Sequence, residues 1–416
     1  MHDKAISISP KAASRLAVTK QHLSGKLPKK ATDETILSLV RDLCYVQWDP
    51  INVIAPSHVI ALWSRIGNFS SSSVENLLWN EKKIFYHWMP IASLVLTEDY
   101  PLYYSLMKDY PDSLTKSWGN HAARAKEFLA EHRDLRRSIL KELKNGPLTL
   151  TQFSDYVKTK RSPDGWSSGS DVSNMLSHLH MSGEVMVVGH EGMQNIWGLS
   201  EDFLPGWVEK KVLPREEVER QAAERTIGAL GTASPSEIYR YFIRGRFENL
   251  KGAIQSLEEE SRIRRVAIDG QRSRDGIFIL ERDEHLLDEI ETDSWEPRMS
   301  LLAHFDNMIC VRDWTKRVFG FDYIHEQFLP RNKRKYGTFV LPIIWGDSII
   351  GRIDPRMDYE KKEFHVNSVH AEPGAASNRD AAPKIAETIG LFAKFLGARK
   401  VVYSARVPSA WKHALR

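Results

Sequence analysis

Cysteine is almost missing from this 416-residue chain, and the two present, Cys44 and Cys310, cannot build a disulfide framework or a thiolate metal site by themselves. A reducing, cytoplasmic setting is the expectation. No run reaches the ~18 apolar residues of a membrane helix, and residues 1–10 carry no basic segment leading into an apolar core. A membrane partner is therefore not expected. Net charge is scarce too: 58 Lys+Arg against 54 Asp+Glu leave +4, too little to name a nucleic-acid partner by total charge. Also lacking are a Gly-rich phosphate loop with a following Lys, a G-x-S-x-G elbow and an H-E-x-x-H pair. His190-Glu191-Gly192 has no partner His, and His178 and His180, two apart, do not share a helix face. Neither a metal nor another cofactor is expected.

What remains is a globular composition, 42% apolar and 27% charged, long enough for about two to four folding units. The apolar pattern repeats along it. In the middle copy a helix ends at Leu140, Leu143 and Gly146, 148–156 and 172–179 read as two more, and strands follow at Val185 and Val187 and at 195–199. The next copy ends its first helix at Ile227 and Leu230, opens a second with Ser234-Pro235, and carries Leu250, Ile254 and Leu257 ahead of Ile263, Val266 and 276–280. From the last helical leucine to the first strand residue is the same step in both, 179 to 185 and 257 to 263, and a fainter copy repeats it from Leu78 to Ile84. Three helices followed by a two-stranded hairpin make a winged helix, a DNA-binding relative of the helix-turn-helix.

After Trp295 short strands dominate, at 301–304, 319–323, 338–344, 348–354 and 364–369, and suggest a small barrel. A helix with Ile385, Ile389, Phe392, Phe395 and Leu396 on one side closes the chain. The expected architecture is thus α+β: winged helices at 1–128, 129–208 and 209–290, a β-barrel at 291–372, and a C-terminal helix and tail at 373–416.

The segment with most chemical content is Val46-Gln47-Trp48-Asp49-Pro50. Pro50 disfavours the α region for Asp49, and in an extended chain Gln47 and Asp49 share one side. A carboxamide and a carboxylate facing one space can orient a water, deprotonate it and stabilise developing positive charge. The plainer alternative is that Asp49 closes a turn or caps the helix beginning near Ser57. Asn52, Ser57, His58 and Arg65 either line the same pocket or serve as a cap, a surface imidazole and a solvated cation. A basic turn, Arg331-Asn332-Lys333-Arg334-Lys335-Tyr336-Gly337, fits a hairpin laid along a DNA groove, with cations at phosphates and Tyr336 at sugar or base; a solvated turn is the alternative. Further basic clusters at 158–161, 262–265 and 272–274 fall in links or wings of the repeats, where phosphates would be met.

Together these residues resemble the YcaQ/AlkZ-like winged-helix DNA glycosylases, which repair alkylated bases and interstrand cross-links. The likeness spans nearly the whole chain. Gln47-Trp48-Asp49-Pro50-Ile51-Asn52, with Ser57-His58 and Leu62-Trp63-Ser64-Arg65-Ile66-Gly67-Asn68, is similar to the family's catalytic stretch. A second block comprises Phe305-Asp306, Arg312-Asp313, Phe319-Gly320-Phe321-Asp322-Tyr323, Lys333-Arg334-Lys335-Tyr336-Gly337, Val340-Leu341-Pro342 and Gly351-Arg352-Ile353-Asp354. Two positions depart from the family: Pro90, after Trp88-Met89, stands where a His is usual, and Asn307 where a proline is common.

The resemblance implies tandem winged helices and a barrel around a basic, concave DNA surface, to which Arg312 and Arg352 would contribute. It implies Asp49 and Gln47 as catalytic residues, with Trp48 and Trp88 near the pocket. Asp49, in place of a second Gln, implies the branch with the broader substrate range. The implied activity is monofunctional hydrolysis of the glycosidic bond of cationic N7-alkylguanine or N3-alkyladenine, and unhooking of cross-links, by a monomer acting on duplex DNA and held to the nucleoid while bound. The rival from another class is a non-enzymatic winged-helix transcription regulator, which would dimerise on a palindromic site and would not need Gln47 and Asp49 to face one space.

Overall fold

A computed structural model of the chain describes residues 5–114, 118–153, 169–192, 194–271, 274–378, 380–404 and 406–415. The fold is mixed α+β; the described residues form three three-stranded sheets and one of five strands. Helix Asp33–Leu43 starts where Thr32 and Thr35 cap each other's backbone, and turns Ile36, Leu37, Leu39, Val40 and Leu43 inward. Strand Val46–Gln47, helix Ser57–Ile66 and hairpin Ile84–Trp88/Ala92–Leu96 complete this first unit. The second carries helices Arg133–Leu143 and Gly169–Met181 with hairpin Val185–Glu191/Gln194–Leu199. In the third, Ser234 and Glu237 form the expected cap of helix Pro235–Arg240, which lies between helices Arg215–Leu230 and Leu250–Glu259 and precedes hairpin Ile263–Ile268/Ile277–Leu280.

The equal spacing in the sequence has a backbone cause. Four residues beyond the last helical leucine, Lys82, Gly183 and Ser261 all adopt the left-handed conformation, at φ 54°, 72° and 55°. The next residue then turns its N–H back to the helix end: Lys83 to Leu77, Glu184 to Leu179 and Arg262 to Leu257. The carbonyls of Lys83, Glu184 and Arg262 in turn accept Thr97, Ser200 and Glu281 N–H, where each hairpin runs into a helical turn. The first copy accommodates an extra residue as a π-helical turn, Asn76–Asn80, which is why its pattern is fainter.

Several expectations change. The C-terminal sheet, in order Met299–Leu301, Leu341–Trp345, Ser348–Asp358, Glu363–Ala371 and Lys400–Tyr403, is open: its first and last strands are edges, so it is not a closed barrel. Helix Ala381–Phe395 covers it through Ile385, Ile389 and Phe392, and the strand after that helix pairs parallel with Glu363–Ala371, so helix and tail belong to the sheet. The expected strand at 319–323 is absent. Residues Arg312–Phe319 form a helix instead, burying Trp314, Thr315 and Val318 and stopped by Gly320 at φ 62°. At the other end, strand Ile6–Ile8 runs parallel to Ile263–Ile268, and Gln21 donates to the Ala229 carbonyl at 2.7 Å, so the N-terminus joins the third unit and not the first.

The first unit and the C-terminal sheet share one core, with Trp63 and Phe392 rings 4.6 Å apart. Inside the protein Arg65 meets Asp306 through two hydrogen bonds of 2.8 and 2.7 Å, both side chains wholly buried. Arg65 also donates to Gln21 and to the Ala61 carbonyl, and Asp306 accepts Met308 N–H. Arg65 is thus a clamp between units and not a pocket residue. Removing the acid by Asp306→Ala leaves the cation buried and uncompensated and should cost roughly 3–5 kcal/mol of unfolding free energy. Urea denaturation measures this, and a loss of only about 1 kcal/mol would match an exposed pair.

Between the first two units His87 and His180 face each other, buried, with ring centroids 4.9 Å apart. Burial, with each other's and Arg246's proximity, holds His87 well below its usual range, and burial brings His180 down to about 4. The unfolded chain therefore takes up these protons first as pH falls. Stability should be level above about pH 6.5 and decline below it by up to about 1.4 kcal/mol per pH unit for each ring. Urea midpoints at pH 7.5, 6 and 5 test this; a flat profile would contradict it.

Candidate active site

Val46 and Gln47 pair with Leu94 and Ser93, and Trp48 N–H reaches the Ala92 carbonyl at 2.8 Å. There the ladder stops, because Pro50 has no N–H to continue it. Gln47 and Asp49 are 9% and 8% exposed and flank a half-buried Trp48. The two carboxylate oxygens of Asp49 have different partners. Oδ1 accepts Ile51 N–H at 3.0 Å in a turn, and the backbone carbonyl accepts Ser57 N–H at the start of helix Ser57–Ile66. Oδ2 faces His304 Nε2 at 3.4 Å.

His304 is 255 positions away in sequence and 3% exposed, with its Nδ1 unpartnered in the interior. His325 lies beside it at 5.2 Å between centroids and stacks on Phe305 at 4.6 Å. Burial alone would raise the Asp49 carboxyl. The hydrogen bonds from His304 and Ile51 N–H and the charges of the two histidines outweigh it and hold the group below the ordinary carboxylate range. It is ionised at neutral pH. His325, by contrast, is lowered to about 4, chiefly by burial and then by His304 and Arg312.

Trp48 stacks on His58 at 4.1 Å and on His190 at 5.3 Å, while Trp79 meets His190 edge-on at 5.3 Å. Burial takes His58 down to about 3 against the pull of Asp49 and lowers His190 as well. At neutral pH the His58, His190 and His325 rings are thus uncharged. Sequence reasoning missed His304 and His325 and set His190 aside for want of a partner. The nearest signal was Phe305-Asp306 in the second family block, next to His304.

The other anticipated pocket residues separate. His58 is buried at the site and is not a surface imidazole. Ser57 is buried with an unpartnered hydroxyl, and Pro56, not Ser57, occupies the cap position. Asn52 is exposed and accepts the Tyr359 hydroxyl from the C-terminal sheet. Trp88 sits two strands from Trp48, with its indole N–H on the Tyr86 hydroxyl.

The basic stretch is a loop with one short turn, Arg331–Lys333, and not a β-hairpin. Glu326 holds it by accepting Lys335, Tyr336 and Gly337 N–H at 3.1, 2.7 and 3.0 Å. Gly337 has φ 150° against Asp354, where a Cβ would collide at 2.2 Å. Arg334 folds back on the Leu329 and Gln327 carbonyls and the Thr338 hydroxyl. Arg352 is buried, bonded to Glu372 and 4.2 Å from the ring centres of both Phe321 and half-buried Tyr336. Those two cations brace the loop, while Arg312, Arg331, Lys333 and Lys335 are exposed. Elsewhere Arg262, Arg264 and Arg265 pair with Glu224, Glu284 and Glu258. The cluster at 158–161 and residue Arg272 lie outside the described residues.

Residues 40–395 match the family described as DNA glycosylase AlkZ-like. Among solved structures, Streptomyces sahachiroi DNA glycosylase AlkZ superposes with a TM-score of 0.69 over 97% of this chain and 100% of that one, at 15% identity, a likeness of fold. Among the described residues no helix is long and apolar enough to cross a membrane. The non-enzymatic regulator is set aside by the family match: this chain belongs to the AlkZ-like DNA glycosylases, enzymes that act on DNA.

Proposed function

We propose that Asp49 is the catalytic carboxylate of a monofunctional glycosylase that hydrolyses the N-glycosidic bond of cationic N7-alkylguanine and N3-alkyladenine. The observation that carries this reading is an ionised, nearly buried carboxylate whose Oδ2 has His304 as its side-chain partner. Such a group can stabilise an oxocarbenium-like sugar and take a proton from the attacking water, which Gln47 would orient. His304 is a positioning residue, holding the oxygen that the turn at Ile51 leaves unused.

A cationic lesion fits the rings beside Asp49. A neutral base needs a proton to leave, yet His58 and His325, at about 3 and 4, carry none to give at pH 7. A base made cationic by alkylation leaves without one. An interstrand cross-link through guanine N7 presents the same cationic bond, so unhooking belongs to the same chemistry. Because a cross-linked base cannot be flipped freely, the site would reach it within the duplex.

The three helix-and-hairpin units are read as winged helices, with the divisions at 128, 208 and 290 and the sheet unit after them, all on one monomer against duplex DNA. Arg312, Arg331, Lys333 and Lys335 are exposed cations placed to meet phosphates, Lys335 from over the Tyr336 ring; Arg334, Tyr336 and Arg352 shape the loop that presents them.

Asp49→Asn should slow release of 7-methylguanine from alkylated duplex by about 100-fold or more while leaving DNA affinity nearly intact. Release at the wild-type rate would remove Asp49 from the chemistry. Changing Arg331, Lys333 and Lys335 together to Ala should weaken duplex binding and reduce the slope of log affinity against log salt by about 0.9 for each phosphate no longer neutralised. An unaltered slope would take the loop out of the interface.

A further inference from the structure

A cavity of about 380 Å³ lies where the first, second and third units meet. Its walls include Trp88, Tyr110, Trp118, His121 and His178, and Arg246 also lines it. The size and aromatic lining are those of a small-ligand site. Arg246 is the anomaly. It is 1% exposed, its Nε has no partner, and Nη1 makes one long bond, 3.4 Å, to the Ile243 carbonyl. Among the described residues it pairs with no carboxylate, although nearby Arg215 has Glu219, Glu248 and Asp109 around it. Its guanidinium lies 4.8 Å from the Trp118 ring centre. Burial, with Arg215 and Arg244 close by and Tyr110 alone opposing, lowers its affinity for its own proton to about 10.

A buried cation without an acid is strongly unfavourable, and an anion arriving in the cavity would relieve it. Tyr110 and His178 are bonded to each other at 2.6 Å, and burial lowers His178, so neither competes as a second charge. We infer that this cavity binds a nucleoside monophosphate unit, its planar base against the aromatic walls and its phosphate on Arg246. Ala92, on the cavity wall, accepts Trp48 N–H, so the cavity opens one strand from Asp49, on an enzyme whose polymer substrate is made of such units. Either a free nucleotide or a nucleotide extruded from the strand presents this chemistry. The inference does not depend on the role of Asp49, and Asp49→Asn protein should bind the probe as wild type does.

The test titrates full-length protein with dGMP, deoxyguanosine and inorganic phosphate, following tryptophan fluorescence, which Trp88 and Trp118 report, and calorimetry. Saturable dGMP binding is expected, with each fragment weaker by about tenfold or more. Arg246→Gln should erase the preference for dGMP over deoxyguanosine. Met181→Trp, which keeps Arg246 and fills the space, should abolish binding of both, with thermal unfolding confirming that each variant folds. No dGMP binding by the wild type, or deoxyguanosine binding as tightly, would overturn the site without recourse to any variant. Displacement of dGMP by a duplex carrying one unpaired purine, but not by a fully paired one, assigns the site to the DNA strand. Failure of either duplex to displace it assigns the site to free nucleotide. Equal displacement by both would put dGMP on the general DNA surface and refute the proposal.

Discussion

The fully buried ion pair between Arg65 and Asp306 is the constraint through which the Gln47-Trp48-Asp49 segment and the C-terminal sheet are held in register. Arg65 lies on helix Ser57–Ile66, whose first N–H is bonded to the Asp49 carbonyl; Asp306 lies two residues after His304. Fixing the guanidinium on the carboxylate therefore fixes where Asp49 stands against His304. Burial of two charges is a poor source of net stability, but once made it tolerates little displacement, because any separation exposes both to a medium that cannot solvate them. The bidentate geometry adds direction to that restraint. Gln21, bonded to Arg65 and to the Ala229 carbonyl, extends the same network to the third unit.

Around Asp49 the electrostatics point one way. A nearly buried carboxylate would ordinarily be raised toward neutrality by the loss of water, and here a backbone N–H and a histidine reverse that. The neighbouring rings, His58, His190 and His325, are brought down by the same loss of water that works against Asp49. Burial thus strips the imidazoles of protons while hydrogen bonds keep the acid ionised. The result is an ionised carboxylate beside His58 and His325 rings that are uncharged at neutral pH.

The repeat was legible because it rests on local physics. A helix that ends in a left-handed residue and returns its next N–H to the last turn needs a set number of residues, so the leucine-to-strand step recurs wherever that turn recurs, at Lys82, Gly183 and Ser261. The Ser234 cap and the break at Pro50 are local in the same sense. The strand expected at 319–323 was misread because Phe319, Phe321 and Tyr323 suit strands, while the helix that ends at Phe319 depends on burying Trp314 against the third unit through its bond to the Thr232 carbonyl. Closure of the sheet was equally out of reach, since it is decided by whether Met299–Leu301 and Lys400–Tyr403, about a hundred positions apart, pair with each other.

By itself the sequence determined the repeated units, the extended Gln47-Trp48-Asp49 segment and the family to which they belong, because each is written in residues close together along the chain. The partners that give those residues their properties were decided only by the tertiary structure. His304 reaches Asp49 across 255 positions, His190 comes to Trp48 from another unit, and Arg352 and Arg334 turn inward although they read as surface cations. Proximity of that kind carries no periodicity or spacing, and the burial that sets each group's charge exists only once the units have packed.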